Sequence, residues 1–541
     1  MISTLLTSAG TVGTSLRVLT RAGVLRPYSP VVLARLAKVL KDWGTGPAGG
    51  FASLAVRAPG EVGVVDELGE LTWAQLHARS NALARALRER GIGEGDAVAV
   101  MCRNHRFFLD VTCAAAKLGA DALYLNTAFA GPQLVEVLGR DRPAAVVHDQ
   151  EFHDLLAEAD VPLRVVAWVD DERELPEGAD TVERLVAVHD DGDLEPPARH
   201  GRTVILTSGT TGTPKGAPRS EAGIDAAVAL LSAMPLRHGW RCHVAAPLFH
   251  TWGFAHMALA MLLGTTLVLR RRFEPEEALR TIAEERCESV AVIPVMLQRI
   301  LALPAEVLDA HDLSRVEVVA SSGSALPGDL ALTWMDRFGD NLYSTYGSTE
   351  VAYAAVAGPA DLREAPSTAG RAPYATVLKV LDETGEEVAT GQAGRIFVGN
   401  TLLFEGYTGG GSKEVVDGLM ATGDVGRIGD DGRLYVEGRD DDMIVSGGEN
   451  VFPKEVEDCI ARHDDVVEVA AVGVDDDDFG QRLRAFVVLR DGAGLDQEAV
   501  QGWVKQHLAR YKVPREVVFL DELPRNATGK VLKRELRGED A

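Results

Sequence analysis

The sequence predicts an α/β fold in its larger part and a smaller α+β region towards its C-terminal end. Strand and helix patterns alternate from residue 71 to residue 148, which implies a mostly parallel sheet with helices on both faces. Residues 453–519 instead mix two helices with three strands. A chain of 541 residues is too long for one hydrophobic core, so two or more domains are expected.

Caps, periodicity and β-branched runs predict the individual elements. Thr72 and Gln75 form a capping-box pattern ahead of a helix that ends at Gly91. The elements predicted next are strand 97–101, helix 108–118, strand 122–125, helix 132–138, strands 144–148 and 203–206, helix 255–263 and strand 316–320. The elements predicted in the C-terminal region are helix 453–461, strands 467–474 and 484–489, helix 497–509 and strand 516–519.

Composition and charge indicate an ordinary globular protein, with 46% hydrophobic and 25% charged residues. A net charge of −25 argues against a nucleic-acid partner, whose phosphates would be repelled. The five cysteines are scattered without a CxxC pair, a metal-ligand spacing or a disulfide framework. This pattern favours a reducing, cytoplasmic location. Each cysteine is expected to be a small buried residue.

The N-terminal extension, residues 1–45, differs from the rest of the chain. Residues 1–41 contain six basic residues and no acidic one, and Pro27 and Pro30 divide them into two possible helices. Either this helix pair packs on the body of the protein, or it makes peripheral contact with anionic lipid. No run of about 18 apolar residues predicts a membrane span, and the uncharged start does not fit a signal peptide.

The most informative stretch is the loop after strand 203–206, Thr-Ser-Gly-Thr-Thr-Gly-Thr-Pro-Lys-Gly over residues 207–216. Its small residues let backbone N–H groups approach a polyphosphate, while the hydroxyls and Lys215 add donors and a positive charge. The spacing is not that of a Walker A loop, so a different triphosphate-binding loop is predicted. The candidate nucleotide-binding residues in it are Thr207, Ser208, Gly209, Thr210, Thr211 and Gly212.

Residues 208–216, Ser-Gly-Thr-Thr-Gly-x-Pro-Lys-Gly, resemble the signature of the adenylate-forming superfamily. This superfamily comprises acyl-CoA synthetases, the adenylation domains of nonribosomal peptide synthetases, and luciferases. The resemblance implies a large N-terminal domain of doubly wound α/β subdomains plus a small β-barrel subdomain, followed by a small mobile α+β domain. The divisions expected are the extension 1–45, an ATP- and acyl-binding domain 46–438 and a C-terminal domain 439–541.

Two further motifs of the superfamily follow in order. Residues 321–327, Ser-Ser-Gly-Ser-Ala-Leu-Pro, look like its adenine-side segment, and residues 346–350 match its Tyr-Gly-x-Thr-Glu motif. The resemblance implies that Thr349 contacts the α-phosphate and that Glu350 binds Mg²⁺ together with Thr210. The other residues assigned to nucleotide binding in these motifs are Ser324, Thr345, Tyr346, whose ring would lie on the purine, and Gly347.

The C-terminal motifs complete the set. Thr-Gly-Asp at 422–424 implies that Asp424 accepts both ribose hydroxyls. Gly-Arg-Asp-Asp-Asp at 438–442 matches the superfamily hinge, in which Arg439 would contact the nucleotide and Asp441 would be the pivot. Residues 446–453 are similar to the part of acyl-CoA synthetases that packs against pantetheine, through Gly447 and Gly448.

The resemblance also assigns the reacting groups. Lys530 lies in a Pro-x-Asn-x-x-Gly-Lys motif whose lysine enters the active site during adenylation only. Residues 247–263 are apolar and contain no Asp or Glu, whereas peptide-synthetase domains place an aspartate there for an amino group. This difference favours an acid with an apolar tail and no ammonium. His250 is a candidate catalytic residue in that span, although a lone histidine there is more commonly a packing residue.

The function implied is activation of a medium- or long-chain fatty acid in two steps. ATP and Mg²⁺ would give an acyl-adenylate, and coenzyme A would then give acyl-CoA, AMP and pyrophosphate. An acyl-AMP ligase that loads a carrier protein would use the same adenylation residues and differ only in the thiol acceptor. An amino-acid activator is disfavoured by the acid-free span. A non-catalytic nucleotide sensor would be expected to have lost Glu350, Asp424 or Lys530, and all three are present.

Overall fold

The computed structural model describes residues 13–207, 215–219, 224–408, 410–440, 444–446, 449–451, 453–476, 480–508, 512–526 and 529–538. The helices among them are α1 (13–21), α2 (Pro30–Trp43), α3 (Pro47–Arg57), α4 (Trp73–Glu89), α5 (Arg106–Lys117), α6 (Gly131–Asp141), α7 (Val182–Val188), α8 (Ile224–Ala233), α9 (Thr251–Leu263), α10 (Pro275–Glu284), α11 (Pro294–Leu301), α12 (Ala305–Asp309), α13 (Gly328–Phe338), α14 (Pro359–Glu364), α15 (Pro453–Ala461), α16 (Gln497–His507) and α17 (Lys533–Arg537).

The strands of the two larger sheets are β1 (Val62–Asp66), β2 (Gly69–Thr72), β3 (Ala97–Met101), β4 (Asp121–Tyr124), β5 (Ala145–His148), β6 (Leu163–Val166), β7 (Thr203–Thr207), β8 (Lys215–Arg219), β9 (Arg241–Val244), β10 (Thr266–Val268), β11 (Ser289–Val292), β12 (Val318–Ser321), β13 (Leu342–Tyr346) and β14 (Ala355–Ala357). Those of the two smaller sheets are β15 (Val377–Leu381), β16 (Gly394–Gly399), β17 (Val415–Val416), β18 (Leu419–Ile428), β19 (Leu434–Arg439), β20 (Ile444–Ser446), β21 (Glu449–Val451), β22 (Val466–Asp476), β23 (Gly480–Leu489) and β24 (Glu516–Phe519).

Two α/β subdomains form the larger part of the molecule. One contains a six-stranded sheet in the order β6-β5-β3-β4-β7-β8, parallel except for the β7–β8 hairpin. The other contains an eight-stranded sheet in the order β14-β13-β12-β11-β9-β10-β1-β2, parallel from β13 to β1. The inner strands are buried on both faces and therefore consist of nearly continuous apolar runs.

Helix α9 joins these two subdomains through packing. Its residues Met257, Ala260 and Met261 belong to the core that includes the six-stranded sheet. Trp252 and Leu259 instead belong to the core on the eight-stranded sheet. The helix is apolar over its whole circumference because it is buried between two layers, which is the usual reason for such a pattern in a globular protein.

The two smaller sheets follow in the chain. β15, β16, β18 and β17 form an antiparallel sheet, to which β19 is added beside β18. In the C-terminal region β21, β20, β23 and β22 are antiparallel, and β24 joins β23 in parallel. Helix α15 packs on the long β22 strand there, which gives the α+β layer arrangement.

The fold class expected from the sequence is confirmed, and local signals account for much of it. The side chain of Thr72 accepts a hydrogen bond from the Gln75 backbone, while Gln75 Oε1 accepts one from the Thr72 backbone at 2.8 Å, so the capping box begins α4 as predicted. The helix predicted over 255–263 begins earlier, at Thr251. All five cysteines are buried and free. In the described part of the chain, no helix is both long and apolar enough to cross a bilayer.

Candidate active site

The candidate site lies where parallel strands of the eight-stranded sheet end. β9, β11, β12 and β13 run in the same direction, so the residues that follow them meet at one edge of the sheet. In open α/β sheets this carboxyl edge is where ligands usually bind. It brings together Ser324 after β12 and Gly347 after β13, two positions predicted from separate motifs.

Two hydroxyl groups at this edge are buried without a hydrogen-bond partner among the described residues. They are Oγ of Ser321 and Oγ1 of Thr345. The neighbouring Ser322 hydroxyl, by contrast, donates to the Thr345 carbonyl at 2.8 Å. An unpaired buried hydroxyl costs roughly 1–3 kcal/mol, so each of these two hydroxyls is a candidate for a hydrogen bond to a ligand.

Asp424 is the centre of a polar cluster beside this edge. The β18–β19 pairing places Asp424 opposite Arg439, and Arg439 Nη1 lies 3.3 Å from Asp424 Oδ1. The hydroxyl of Tyr346 donates to Asp424 Oδ2 at 2.5 Å. Burial raises the pKa of Asp424, and the charge of Arg439 opposes that rise. The predicted purine-side and ribose-side residues are therefore in direct contact.

The C-terminal lysine is placed near the same cluster. Asn526 Oδ1 accepts a hydrogen bond from the Lys530 backbone at 2.9 Å, and the Asn526 backbone donates to the Lys530 carbonyl at 2.9 Å. Gly529 has a φ of +75°, and a Cβ there would lie 2.5 Å from Val295 Cγ1. This close approach holds the turn against the large α/β part. The positive charge of Lys530 is among the groups that oppose the rise in the pKa of Asp424.

Glu350 is held by a residue that the sequence analysis missed. The Tyr407 hydroxyl donates to Glu350 Oε1 at 2.7 Å, and the Tyr407 ring centroid lies 5.5 Å from Lys215 Nζ. Burial alone would raise the pKa of Glu350, but hydrogen bonds from Tyr407 and Ser348 hold it below its ordinary value. Glu350 is therefore an ionised carboxylate. The signal available in the sequence was an aromatic residue inside the glycine-rich stretch 406–411.

The same stretch also holds the strand that carries Lys215. Thr408 Oγ1 accepts a hydrogen bond from the Gly216 backbone at 2.8 Å, and the Thr408 backbone donates to the Gly216 carbonyl at 2.8 Å. A Cβ on Gly216 would come within 2.7 Å of the Thr408 hydroxyl. Residues 407–408 thus connect the predicted phosphate loop to Glu350.

Several predicted site residues lie outside the described residues. They are Ser208, Gly209, Thr210, Thr211 and Gly212 in the glycine-rich loop, and Asp441, Gly447 and Gly448 near the hinge motif. The backbone of Thr207 is described and pairs with Lys215 at the ends of β7 and β8, the two strands that flank that loop. Thr349 lies in the turn after β13, next to Glu350.

His250 stands at the start of α9, as the residue preceding its first turn. Its ring centroid is 4.5 Å from that of Phe249, and its buried Nε2 has no hydrogen-bond partner among the described residues. Burial lowers the pKa of His250 to about 4, so the imidazole is neutral at physiological pH. It can hydrogen-bond to a ligand, but at that pH it does not contribute a positive charge.

Most of the apolar span 247–263 is core rather than an open wall. Trp252 Nε1 donates to the Ala320 carbonyl at 3.3 Å within the core, and Phe254 packs on Tyr124 with ring centroids 5.4 Å apart. Met257 and Leu263 are buried in the two different cores that the helix joins. The part of the span that adjoins the carboxyl edge is its beginning, at Phe249 and His250.

Comparison with known proteins accords with this geometry. The AMP-binding enzyme family matches residues 51–408, and the AMP-binding enzyme C-terminal domain matches residues 455–530. The chain belongs to the AMP-binding enzyme family. The resemblance to the adenylate-forming superfamily is thereby confirmed.

Relatives of this family align over nearly their whole length. The chain is 34% identical over 480 residues to a feruloyl-CoA synthase of Amycolatopsis sp, covering 86% of the chain and 93% of that protein. It is 31% identical over 481 residues to the long-chain-fatty-acid–CoA ligase FadD13 of Mycobacterium tuberculosis, covering 86% and 92%. The ATP-bound structure of MatB from Rhodopseudomonas palustris superposes with a TM-score of 0.80 at 27% identity, covering 91% and 99%.

Proposed function

We propose that this AMP-binding enzyme is an acid–CoA ligase that converts a carboxylic acid with an apolar body into its acyl-CoA through an acyl-adenylate. The observation that carries the proposal is the cluster at Asp424, where Tyr346 and Arg439 make contact and the charge of Lys530 acts. It combines groups suited to a purine, a ribose and a developing negative charge in one place.

ATP is bound in this proposal by groups at the carboxyl edge. The Tyr346 ring lies against the purine, and Asp424 accepts hydrogen bonds from the ribose hydroxyls, for which an acceptor-only carboxylate is suited. The buried Thr345 hydroxyl, which has no hydrogen-bond partner among the described residues, is assigned to the nucleotide as well. Thr349 and Lys215, together with Ser208, Gly209, Thr210, Thr211 and Gly212 of the glycine-rich loop, hold the phosphates.

A magnesium site fits the residues present. Glu350 is an ionised carboxylate whose pKa is held low by hydrogen bonds, and Mg²⁺ prefers such oxygen ligands together with phosphate oxygens. Glu350 and the hydroxyl of Thr210 would hold the ion. When bound, Mg²⁺ would neutralise charge on the departing pyrophosphate.

The first half-reaction joins the acid to AMP. A carboxylate oxygen attacks the α-phosphorus in line, the bond from that phosphorus to the bridging oxygen breaks, and pyrophosphate leaves. Lys530 lies between carboxylate and phosphate and stabilises the charge that builds in the transition state. His250, neutral because burial lowers its pKa to about 4, orients the carboxylate through Nε2, which has no hydrogen-bond partner among the described residues.

The second half-reaction transfers the acyl group to sulfur. The C-terminal domain, residues 439–541, turns about Asp441, which withdraws Lys530 and brings Gly447 and Gly448 to the pantetheine of coenzyme A. The thiol loses its proton, its sulfur attacks the acyl carbon, and the bond from that carbon to the AMP oxygen breaks. The products are acyl-CoA and AMP.

Two classes of carboxylic acid are candidates for the substrate. A medium- or long-chain fatty acid is the expectation from the acid-free span 247–263, and it matches the relative named for long-chain fatty acids. An aryl acid is favoured by the feruloyl-CoA synthase relative and by the aromatic residue Phe249 beside His250 at the carboxyl edge. Both candidates lack an ammonium group, in keeping with the absence of a partner carboxylate in that span.

The test is ATP–pyrophosphate exchange with a panel that runs from acetate to oleate and includes ferulate and an amino acid. Exchange with at least one apolar acid supports the adenylation step, and the preferred acid decides between the two candidates. Formation of a thioester with coenzyme A, compared with a phosphopantetheinyl carrier protein, decides the acceptor. If no acid supports exchange in the presence of ATP and Mg²⁺, the proposal is wrong.

A further inference from the structure

We propose that helices α1 and α2 dock on the surface of an anionic lipid bilayer. The contact is made by an exposed apolar surface, called here the N-terminal apolar face. Its members are 45–51% exposed: Leu16, Leu25, Leu33 and Leu40. Large apolar side chains that cluster at the surface usually mark an interaction site.

Helix α2 has the geometry of a helix that lies in a membrane interface. None of its residues is buried, although it is 14 residues long and rich in Val and Leu. Leu33, Leu36, Ala37 and Leu40 follow the i, i+3, i+4, i+7 spacing that places side chains on one face. Such a one-sided helix, with basic residues on its other side, binds the boundary between headgroups and acyl chains.

The distribution of charge along the chain indicates which kind of lipid surface the N-terminal apolar face would bind. Residues 1–41 carry six basic residues and no acidic one, whereas the whole chain has a net charge of −25. Three of the basic residues, Arg35, Lys38 and Lys41, lie on α2 itself and are exposed, and one acidic residue of the same helix, Asp42, forms an ion pair with Lys38. A basic apolar helix on an acidic protein is attracted to anionic lipid while the body is repelled. The charges therefore favour an orientation in which this end faces the membrane.

The helices are fixed to the body on their other side. Leu19 and Ala22 of the α1 segment are buried, and the Arg26 guanidinium contacts His238 Nε2. α2 packs on α3, and Arg57 at the end of α3 donates to the carbonyls of Met261 and Leu262, at 3.1 and 2.6 Å. Helix α3 thus connects the apolar face to the C-terminal end of α9. The first turn of α9, at its other end, adjoins the candidate active site.

A bilayer is favoured over a second copy of this chain as the occupant. Self-association through this face would bring together two surfaces on which basic residues outnumber acidic ones, and like-charge repulsion opposes this. A role of this face in delivering substrate from the membrane rests on the proposed function. Membrane binding itself can be measured without any substrate.

The experiment is co-sedimentation of the full-length protein with vesicles of phosphatidylcholine alone and of phosphatidylcholine with 30% phosphatidylglycerol (about 0.1 M salt). We expect binding to the anionic vesicles and much weaker binding to the neutral ones. The double variant Leu33→Gln/Leu40→Gln should lower the partition coefficient at least about tenfold. Arg35→Gln/Lys41→Gln should lower it roughly fivefold for each charge removed and reduce the preference for anionic vesicles.

Leu68→Gln/Val188→Gln is the matched control, since both residues are apolar and more than half exposed elsewhere on the surface. It should bind vesicles as the wild type does, and all variants should keep the wild-type melting temperature and ATP–pyrophosphate exchange with a water-soluble acid. The proposal is overturned if the wild type does not bind anionic vesicles or if the control loses binding as strongly as Leu33→Gln/Leu40→Gln. Concentration-dependent dimers that are lost in the leucine variant would assign the face to a second copy instead.

Discussion

The hydroxyl of Tyr407 donates a hydrogen bond to Glu350 Oε1 at 2.7 Å, and the ring of the same tyrosine lies 5.5 Å from Lys215 Nζ. One side chain thus connects the proposed metal ligand to the lysine that follows the glycine-rich loop. The contact keeps Glu350 ionised in a partly buried position. Tyr407 is therefore proposed as a positioning residue that acts through Glu350.

The first prediction concerns Tyr407→Phe. The substitution keeps the ring near Lys215 and removes one hydrogen bond to a carboxylate, which is worth about 1.5–3 kcal/mol. We expect kcat/KM for adenylation to fall about 10- to 100-fold and the Mg²⁺ concentration for half-maximal rate to rise, because Glu350 loses the hydrogen bond that fixes the position of its carboxylate. The measurement is ATP–pyrophosphate exchange as a function of Mg²⁺ concentration.

Tyr435→Phe is the control for that experiment, because the Tyr435 hydroxyl donates to Asp431 at 3.1 Å on the exposed surface. It should leave both the rate and the Mg²⁺ dependence unchanged. If Tyr407→Phe lowers the rate without any change in the Mg²⁺ dependence, its role through Glu350 is refuted.

The second prediction separates the two half-reactions. Lys530→Ala should lower adenylation on the order of 10²–10³-fold, the effect of losing one electrostatic stabiliser, and should spare thioester formation from supplied acyl-adenylate. Lys533→Ala is the control and should leave both half-reactions unchanged. Lys533 is also a lysine near the C-terminal end, but its Nζ forms an ion pair with Glu457 at 2.9 Å. Asp441→Pro should have the reverse effect on the two steps. If Lys530→Ala lowers the rates of adenylation and thioester formation equally, the proposed rotation of the C-terminal domain between the two steps is wrong.

Much of the fold could be predicted because its signals are local. The capping box at Thr72 and the β-branched runs of β3, β5 and β7 depend on neighbours in the sequence, so their type and approximate bounds were predicted. The early start of α9 was missed because His250 offers no side-chain cap. Burial between two cores, which is a tertiary effect, stabilises that first turn.

The site shows the same division between local and long-range signals. Asp424, Glu350 and Lys530 were recognised from short motifs, each with its own spacing. Tyr407 was missed because its contact with Glu350 joins positions 57 residues apart. The Tyr346–Asp424 hydrogen bond spans 78 residues and could not be predicted either, although each partner was assigned to nucleotide binding.

The third prediction follows from that hydrogen bond. Tyr346→Phe keeps the ring for the purine and removes the donor that orients Asp424. We expect KM for ATP to rise about 10- to 100-fold, with a smaller change in kcat, since a hydrogen bond to a carboxylate is worth about 1.5–3 kcal/mol. Asp424→Asn should be more severe, because it replaces one of the two acceptor oxygens of the carboxylate with an NH₂ group, which only donates. Steady-state kinetics at varied ATP concentration is the measurement. An unchanged KM in Tyr346→Phe would show that the hydroxyl does not orient Asp424.

The fourth prediction concerns pH and stability. Burial lowers the pKa of His256 to about 4 in the folded protein, compared with about 6.5 in an unfolded chain. Between these values the unfolded chain binds a proton that the folded protein does not, so the stabilisation present above pH 6.5 is lost as the pH falls towards 4. One such histidine contributes up to about 3 kcal/mol to this loss. His256→Leu should therefore reduce the fall in melting temperature between pH 6.5 and 4.5.

His507→Leu, a change at an exposed histidine, is the control and should leave the wild-type pH dependence intact. His243 has a pKa lowered to about 4 by burial, as His256 does, so a residual dependence of the same sign should persist in His256→Leu. Identical slopes in the wild type and His256→Leu would mean that His256 is protonated in the folded protein. Its buried Nε2 would then require an acceptor other than the residues that surround it in the described structure.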